Sequence, residues 1–334
     1  MSEIRQDITT EEWVIMAKAR GKRPHDFVNR HMTTPVPAFL SSCPFCPGNE
    51  KGTPEETLAY LNKKTGRWQV RSFANRYPAL SSEGSRKRIK EGELFVSMDG
   101  VGVHEVIVEG PVHNKVLALM EDEEVEAVLR AYRERYNVLI QLPFVQLVII
   151  FKNHGASAGT SLEHPHSQLI ATPLVPRYVR MQCNVATRYY DDNGSCLLTD
   201  ITAEELRLAK RVVMETDKFV VFHPFASHSP FETWITPKRY EACFGNVTDD
   251  ELKELSHTLR ITLLKLYTGL NNPDFNYVIS TVPKGDEENG YFLWHMRIIP
   301  RLTDLAGFEI GSGIHINTTL PEETASFIRE LAVE

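Results

Sequence analysis

One ordering of elements occurs twice in this chain of 334 residues, and it restricts the possible folds more than any other feature. In the first copy an apolar strand candidate at 104–108 precedes an acidic run, Glu121-Asp122-Glu123-Glu124. Val125, Val128, Leu129, Tyr132, Tyr136 and Leu139 then recur at helical spacing. A second strand candidate follows at 145–151, then the small-residue turn Gly155-Ala156-Ser157-Ala158-Gly159, then His164-Pro165-His166-Ser167-Gln168. The second copy runs from a strand at 231–235 through Asp249-Asp250-Glu251 to a helix bearing Leu252, Leu255, Leu259, Leu263 and Leu266. It continues with a strand at 275–280, a loop holding Gly285 and Gly290, and Trp294-His295-Met296-Arg297. Strand, helix, strand, loop, strand, met twice, predicts a duplicated α+β unit. A closing helix is expected from Pro321 onward, with Glu322 and Glu323 favouring its positive end.

The two copies differ where chemistry would sit. In an extended chain, residues two apart share a face, so His164, His166 and Gln168 would form one polar row. The second copy offers only His295, which assigns the chemistry to the first half and support to the second. With His164 engaged elsewhere, His166 is a free imidazole, competent as a nucleophile towards phosphorus and as a leaving group. Gln168 is an uncharged donor for a phosphoryl oxygen. The small-residue loop from Gly155 to Ser161, including Gly159, lets the backbone approach phosphates closely. Arg20 and Arg23 could clamp further phosphate oxygens.

Cys43-Pro44-Phe45-Cys46 is a Cys-x-x-Cys knuckle that fits a metal or a redox pair. Pro47-Gly48 directly after it breaks the helix that a redox pair uses to lower its thiol pKa, which favours zinc. Histidines must supply the remaining ligands, with His164 and His113 as candidates and His104 and His154 behind them. The five cysteines are an odd number, against a disulfide framework. A formal net charge of −7 excludes a nucleic-acid scaffold, and the basic run at 86–90 reads as a solvated loop. The amino terminus has no apolar core for a signal peptide and no stretch is long enough for a bilayer, so a cytoplasmic protein without membrane contact is expected.

Taken together, Cys43-x-x-Cys46, Pro111-Val112-His113, Phe151-Lys152-Asn153, the turn 155–159, His164-Pro165-His166-Ser167-Gln168 and Ala306-Gly307-Phe308-Glu309 resemble the galactose-1-phosphate uridylyltransferase family. That family is the nucleotidyltransferase branch of the histidine-triad superfamily, and the resemblance spans nearly the whole chain. It implies two histidine-triad-like domains, each an antiparallel sheet with packed helices. A catalytic domain with the zinc site is expected over 1–175, and a second domain without the catalytic motif over 176–334. It implies zinc held by Cys43, Cys46, His113 and His164, His166 as nucleophile and Gln168 on the phosphate. Asn75, Asn153 and Ser161 would contact the nucleotide, and Glu309 the sugar, usually across a homodimer interface. The implied reaction exchanges a nucleoside monophosphate between a nucleotide sugar and a sugar 1-phosphate: UDP-glucose plus galactose 1-phosphate, in galactose metabolism.

Departures from the family pattern point towards its relatives. Cys196-Leu197-Leu198-Thr199 keeps one cysteine of a second knuckle and Tyr240 stands where a histidine would, so one zinc and no second metal are expected. Asn75-Arg76 replaces an Asn-Asp pair, and Gly102-Val103-His104-Glu105 resembles the ADP-glucose phosphorylase branch. An ADP-glucose phosphorylase or an adenylylsulfate phosphate adenylyltransferase, with phosphate or sulfate as second substrate, is therefore the alternative. A histidine-triad hydrolase would carry a third histidine at Gln168. A zinc-stabilised binding module would need His166 only for structure.

Overall fold

The computed structural model describes residues 2–18, 24–27, 36–62 and 64–333. Its strands in chain order are β1 (Glu3–Gln6), β2 (Trp13–Met16), β3 (Glu56–Leu61), β4 (Trp68–Ala74), β5 (Ile89–Glu91), β6 (Phe95–Ser97), β7 (Val103–Val108), β8 (Leu147–His154), β9 (His166–Thr172), β10 (Val212–Glu215), β11 (Phe219–Phe222), β12 (Thr233–Pro237), β13 (Phe275–Ser280), β14 (His295–Pro300) and β15 (His315–Asn317). The α-helices are α1 (Asp122–Ile140), α2 (Arg177–Asn193), α3 (Leu197–Leu208), α4 (Asp249–Leu270), α5 (Gly307–Ser312) and α6 (Pro321–Glu330).

The repeat read from the sequence is present as a repeat of the fold. One ten-stranded sheet has the order β10-β11-β12-β14-β13-β8-β9-β7-β4-β3. Its halves match strand for strand: β3, β4, β7, β8 and β9 correspond to β10, β11, β12, β13 and β14. Helices α1 and α4 occupy the same place in each half. The halves meet where β8 and β13 pair antiparallel, Asn153 facing Asn276 and Phe151 facing Val278. All the pairings inside the large sheet are antiparallel, as expected of the duplicated α+β fold.

Local chemistry explains both long helices. The Glu124 carboxylate accepts the Glu121 backbone N–H at 2.8 Å, and Thr248 caps α4 reciprocally with Glu251. Val125, Val128, Leu129, Leu252, Leu255 and Leu259 are buried in the main core, against the inward residues Val148, Ile150, Leu169, Tyr277 and Ile298 of the sheet. Sheet residues of the opposite parity face away from these helices. That second face carries the functional groups.

A buried polar network ties the helical side to the strand of the candidate nucleophile. Lys152 donates to Glu109 at 2.6 Å and to the His166 carbonyl at 3.2 Å. Tyr132 on α1 meets Tyr277 on β13 at 2.5 Å. Ser167 hydrogen-bonds to Glu109 and to Tyr132. Lys152 is 1% and Glu109 0% exposed, so each charge depends on the other. Lys152→Met should cost about 3–5 kcal/mol by stranding the carboxylate. It would be measured as a lower urea midpoint, and an unchanged midpoint would show that the pair carries no such weight.

Candidate active site

His166 and Gln168 occupy alternate positions of β9 and share its exposed-side face, as the period of two predicts. His164 does not complete the row. It lies two residues before the strand begins, and the chain bends there. Proline at 165 has no N–H for the ladder, which delays the start of the strand. The Pro165 carbonyl still accepts the Glu109 N–H at 3.1 Å. This departure from a straight row turns His164 towards the cysteine knuckle.

Cys43, Cys46, His113 and His164 are all buried, with ligand atoms within 4.8 Å of one another. The His164 Nε2–H donates to the Gly110 carbonyl at 2.8 Å, which leaves the Nδ1 lone pair aimed at Cys46 Sγ, 3.6 Å away, and Cys43 Sγ, 3.8 Å away. His113 brings its own Nδ1 to 3.4 Å from Cys46 Sγ. In a tetrahedral zinc site the sulfur–nitrogen edge is about 3.6 Å, so the residues fit a metal ion of that kind. Burial pushes the Cys43 thiol pKa up and brings His164 down to about 4. A bound cation would favour the thiolate, and the imidazole is already in its neutral, ligating form. His104 and His154 are outside this group.

The metal group and His166 are mechanically joined. His166 Nδ1 lies 2.9 Å from the His164 carbonyl. A carbonyl can only accept, so Nδ1 carries the proton and Nε2 keeps a free lone pair. Phe45, inside the knuckle, packs edge-on against His166 with centroids 5.4 Å apart. Burial lowers the His166 pKa and so favours the neutral ring. Beyond it opens a cavity of about 390 Å³ whose lining includes Asn75, Arg76, Tyr77, Ser161, His166 and Gln168.

The glycine-rich turn is held by the second half. Asp274 accepts the backbone N–H of Ser157 at 2.7 Å and its hydroxyl at 2.6 Å. A Cβ on Gly155 would lie 1.8 Å from the Asp274 carboxylate, at φ +84, so only glycine allows this approach. Asn276 donates to Asn153 Oδ1 and to the Ala158 carbonyl, both at 2.8 Å, leaving the Asn153 amide protons for another partner. These second-half residues escaped sequence reasoning because they act through the β8–β13 pairing. Gly159 closes the turn in the left-handed conformation. Arg20 and Arg23 lie outside the described residues. Glu309 caps its own helix α5 and does not line its own chain's cavity.

The second half shows what the site becomes without these groups. His295 Nδ1 donates to the Leu293 carbonyl at 3.1 Å, just as His166 does to His164, which identifies His295 as its counterpart. Leu293 then stands for His164 and Arg297 for Gln168. Arg297 is paired with Glu232 at 3.0 Å and with Tyr178 of α2 at 2.5 Å. Trp234 stacks on His295, whose Nε2 has no hydrogen-bond partner among the described residues. Cys196 donates to the Tyr291 carbonyl and packs with Leu198 and Leu293.

The chain is similar to known proteins over nearly its whole length. The profile described as galactose-1-phosphate uridyl transferase, N-terminal domain, matches residues 1–176, and its C-terminal counterpart matches 182–331. ADP-glucose phosphorylase of Arabidopsis thaliana is 36% identical over 99% of this chain and 93% of its own. The galactose-1-phosphate uridylyltransferase of Thermotoga maritima is 30% identical, covering 100% of both. The crystal structure of the Arabidopsis phosphorylase with bound ADP-glucose superimposes with a TM-score of 0.84 at 33% identity, covering 100% of both chains. A uridylyltransferase structure gives 0.75 at 29% identity, over 98% of this chain and 97% of that one.

The ligand geometry makes a prediction for metal content. Cys43→Ser should lose most of its bound metal in elemental analysis of purified protein, whereas Cys196→Ser should keep it. Full retention by Cys43→Ser would contradict the ligand group.

Proposed function

The chain belongs to the galactose-1-phosphate uridylyltransferase family, and from that premise we propose that it transfers a nucleoside monophosphate by double displacement through His166. The observation that carries this reading is the His166 tautomer: Nδ1–H is spent on the His164 carbonyl and Nε2 faces the cavity free. Nε2 attacks the α-phosphorus of a nucleoside diphosphate hexose. The Nε2–P bond forms, the P–O bond to the distal phosphate breaks, and a hexose 1-phosphate leaves with the electron pair. A second phosphate acceptor then attacks the nucleotidyl-His166, and the imidazole departs neutral, its Nδ1 proton never having moved.

Gln168 supplies N–H donors to the non-bridging oxygen, whose charge grows as phosphorus changes partners. In this reading Asn75, Asn153 and Ser161 contact the nucleotide, the loop 155–161 approaches its phosphates, and Arg20 and Arg23 are assigned to further phosphate oxygens. Cys43, Cys46, His113 and His164 would hold the zinc, which would supply a rigid structural clamp. We assign one zinc per chain, since Cys196, Thr199, Tyr240 and Leu293 do not offer a matching second donor set. A homodimer in the cytoplasm completes the proposal, in which the partner's Glu309 reaches the sugar. Among the described residues, no helix is long and apolar enough to cross a membrane.

The acceptor in this reading is galactose 1-phosphate, with UDP-glucose as donor. The similarity to the Arabidopsis ADP-glucose phosphorylase favours a second reading, with ADP-glucose as donor and inorganic phosphate as acceptor. Sulfate, as in an adenylylsulfate-forming enzyme, falls under the same chemistry. Gln168 in place of a third, proton-donating histidine argues against a hydrolase.

Incubation with α-phosphate-labelled UDP-glucose and ADP-glucose should give an acid-labile protein adduct on the unmodified chain and none on His166→Gly. The donor that labels, and the acceptor that discharges the label, choose between the two readings. No adduct with any nucleotide sugar would refute transfer.

A further inference from the structure

His104 lies outside the Cys43, Cys46, His113 and His164 group; its surroundings give it a different task. It sits on β7, two residues before Val106, and Val106 faces Gln168 in the register with β9. The backbone N–H of Ala79 points at His104 Nδ1 from 3.1 Å. A backbone amide can only donate, so Nδ1 is the acceptor nitrogen of a neutral ring. Burial, opposed by the bond to Gln168, holds the His104 pKa below its usual value, in keeping with that neutral form. Nε2 therefore carries the hydrogen. It lies 2.7 Å from Gln168 Oε1, and the side-chain oxygen of Gln168 is the acceptor.

The consequence falls on the other end of the amide. With Oε1 occupied, the NH₂ group of Gln168 is left for the cavity. Asn75 is arranged the same way. Its Oδ1 accepts the Tyr77 backbone N–H at 2.9 Å. Its Nδ2, 3.1 Å from His104 Nε2, finds a donor there and keeps its protons for another partner. Two amides beside His166 thus present donors only.

We infer that His104 is a positioning residue: through the Ala79–His104–Gln168 relay it fixes the Gln168 carboxamide with its NH₂ group towards the phosphoryl group on His166. Without the relay the amide can flip and present its oxygen to an anion, which repels it. The equivalent diagonal in the second half joins Glu232 to Arg297 at 3.0 Å. An ion pair there immobilises the Gln168 counterpart, and the Arg297 Nε is left buried without a hydrogen-bond partner among the described residues. The inference rests on the transfer reading above.

The test is the single-turnover rate of adduct formation on His166 with the nucleotide sugar that labels the unmodified protein. His104→Leu should slow it roughly tenfold or more, with the nucleotide-sugar KM and the bound metal little changed. His104→Gln, which keeps a donor, should recover most of the loss. On a Gln168→Ala background, His104→Leu should add almost nothing, because its effect runs through Gln168. An unchanged rate in His104→Leu, or full additivity in the double variant, would overturn the inference. A readout independent of variant folding is the ¹⁵N spectrum of labelled histidines in the unmodified protein. The Nε2–H tautomer of His104 is expected, and an Nδ1–H tautomer would overturn the relay. Failure of transfer itself shows differently, as no adduct on the unmodified chain, and would remove both readings.

Discussion

The hydrogen bond from His166 Nδ1 to the His164 carbonyl is the contact on which the site depends. It chooses the tautomer, and the tautomer decides which ring nitrogen keeps a free lone pair. The bond holds only while the residue at 164 keeps its carbonyl in place. His164 is anchored on both ring nitrogens, to Gly110 on one side and towards the cysteine sulfurs on the other. The Cys43, Cys46, His113 and His164 group is therefore part of the geometry of the proposed nucleophile although it lies outside the reacting atoms. Phe45 gives the same coupling a second route, because it belongs to the knuckle and packs on His166.

The duplicated sheet divides labour across its centre. From Gln168 the register runs to Phe151, Val278 and Arg297, three strand spacings or about 14 Å. At one end lies an open cavity with a neutral amide. At the other, α2 covers a guanidinium already paired with Glu232 and Tyr178. The second half carries Leu293, His295 and Arg297 where the first carries His164, His166 and Gln168, and it still shapes the first. Asp274 and Asn276 lie on its side of the β8–β13 seam and hold the glycine turn and Asn153. Support by the second half, expected from the repeat, thus has a specific physical form.

Much of this was legible in the sequence because it is local. The strand at 275–280 matches β13 to the residue, and the acidic helix starts are real caps. Strands expected at 145–151 and 231–235 run two or three residues later at their ends, as Leu147–His154 and Thr233–Pro237. The Cys-x-x-Cys knuckle without a following helix reads as a metal site with His113 and His164, and the structure brings those four side chains together. What stayed hidden is non-local. The bend at Pro165 removed His164 from the expected row. The contact of His104 with Gln168 needs the β7–β9 register. The grip of Asp274 on Gly155 needs the two halves side by side. No spacing along the chain encodes these distances.

Transfer through His166 would place the nucleotidyl group on one atom, Nε2, and the attachment point can be read spectroscopically. Phosphorus-coupled ¹⁵N NMR of the trapped adduct, with histidine labelled in the ring, should show a one-bond coupling to His166 Nε2 and an intact Nδ1–H. Attachment at Nδ1, or at any other residue, would contradict the account.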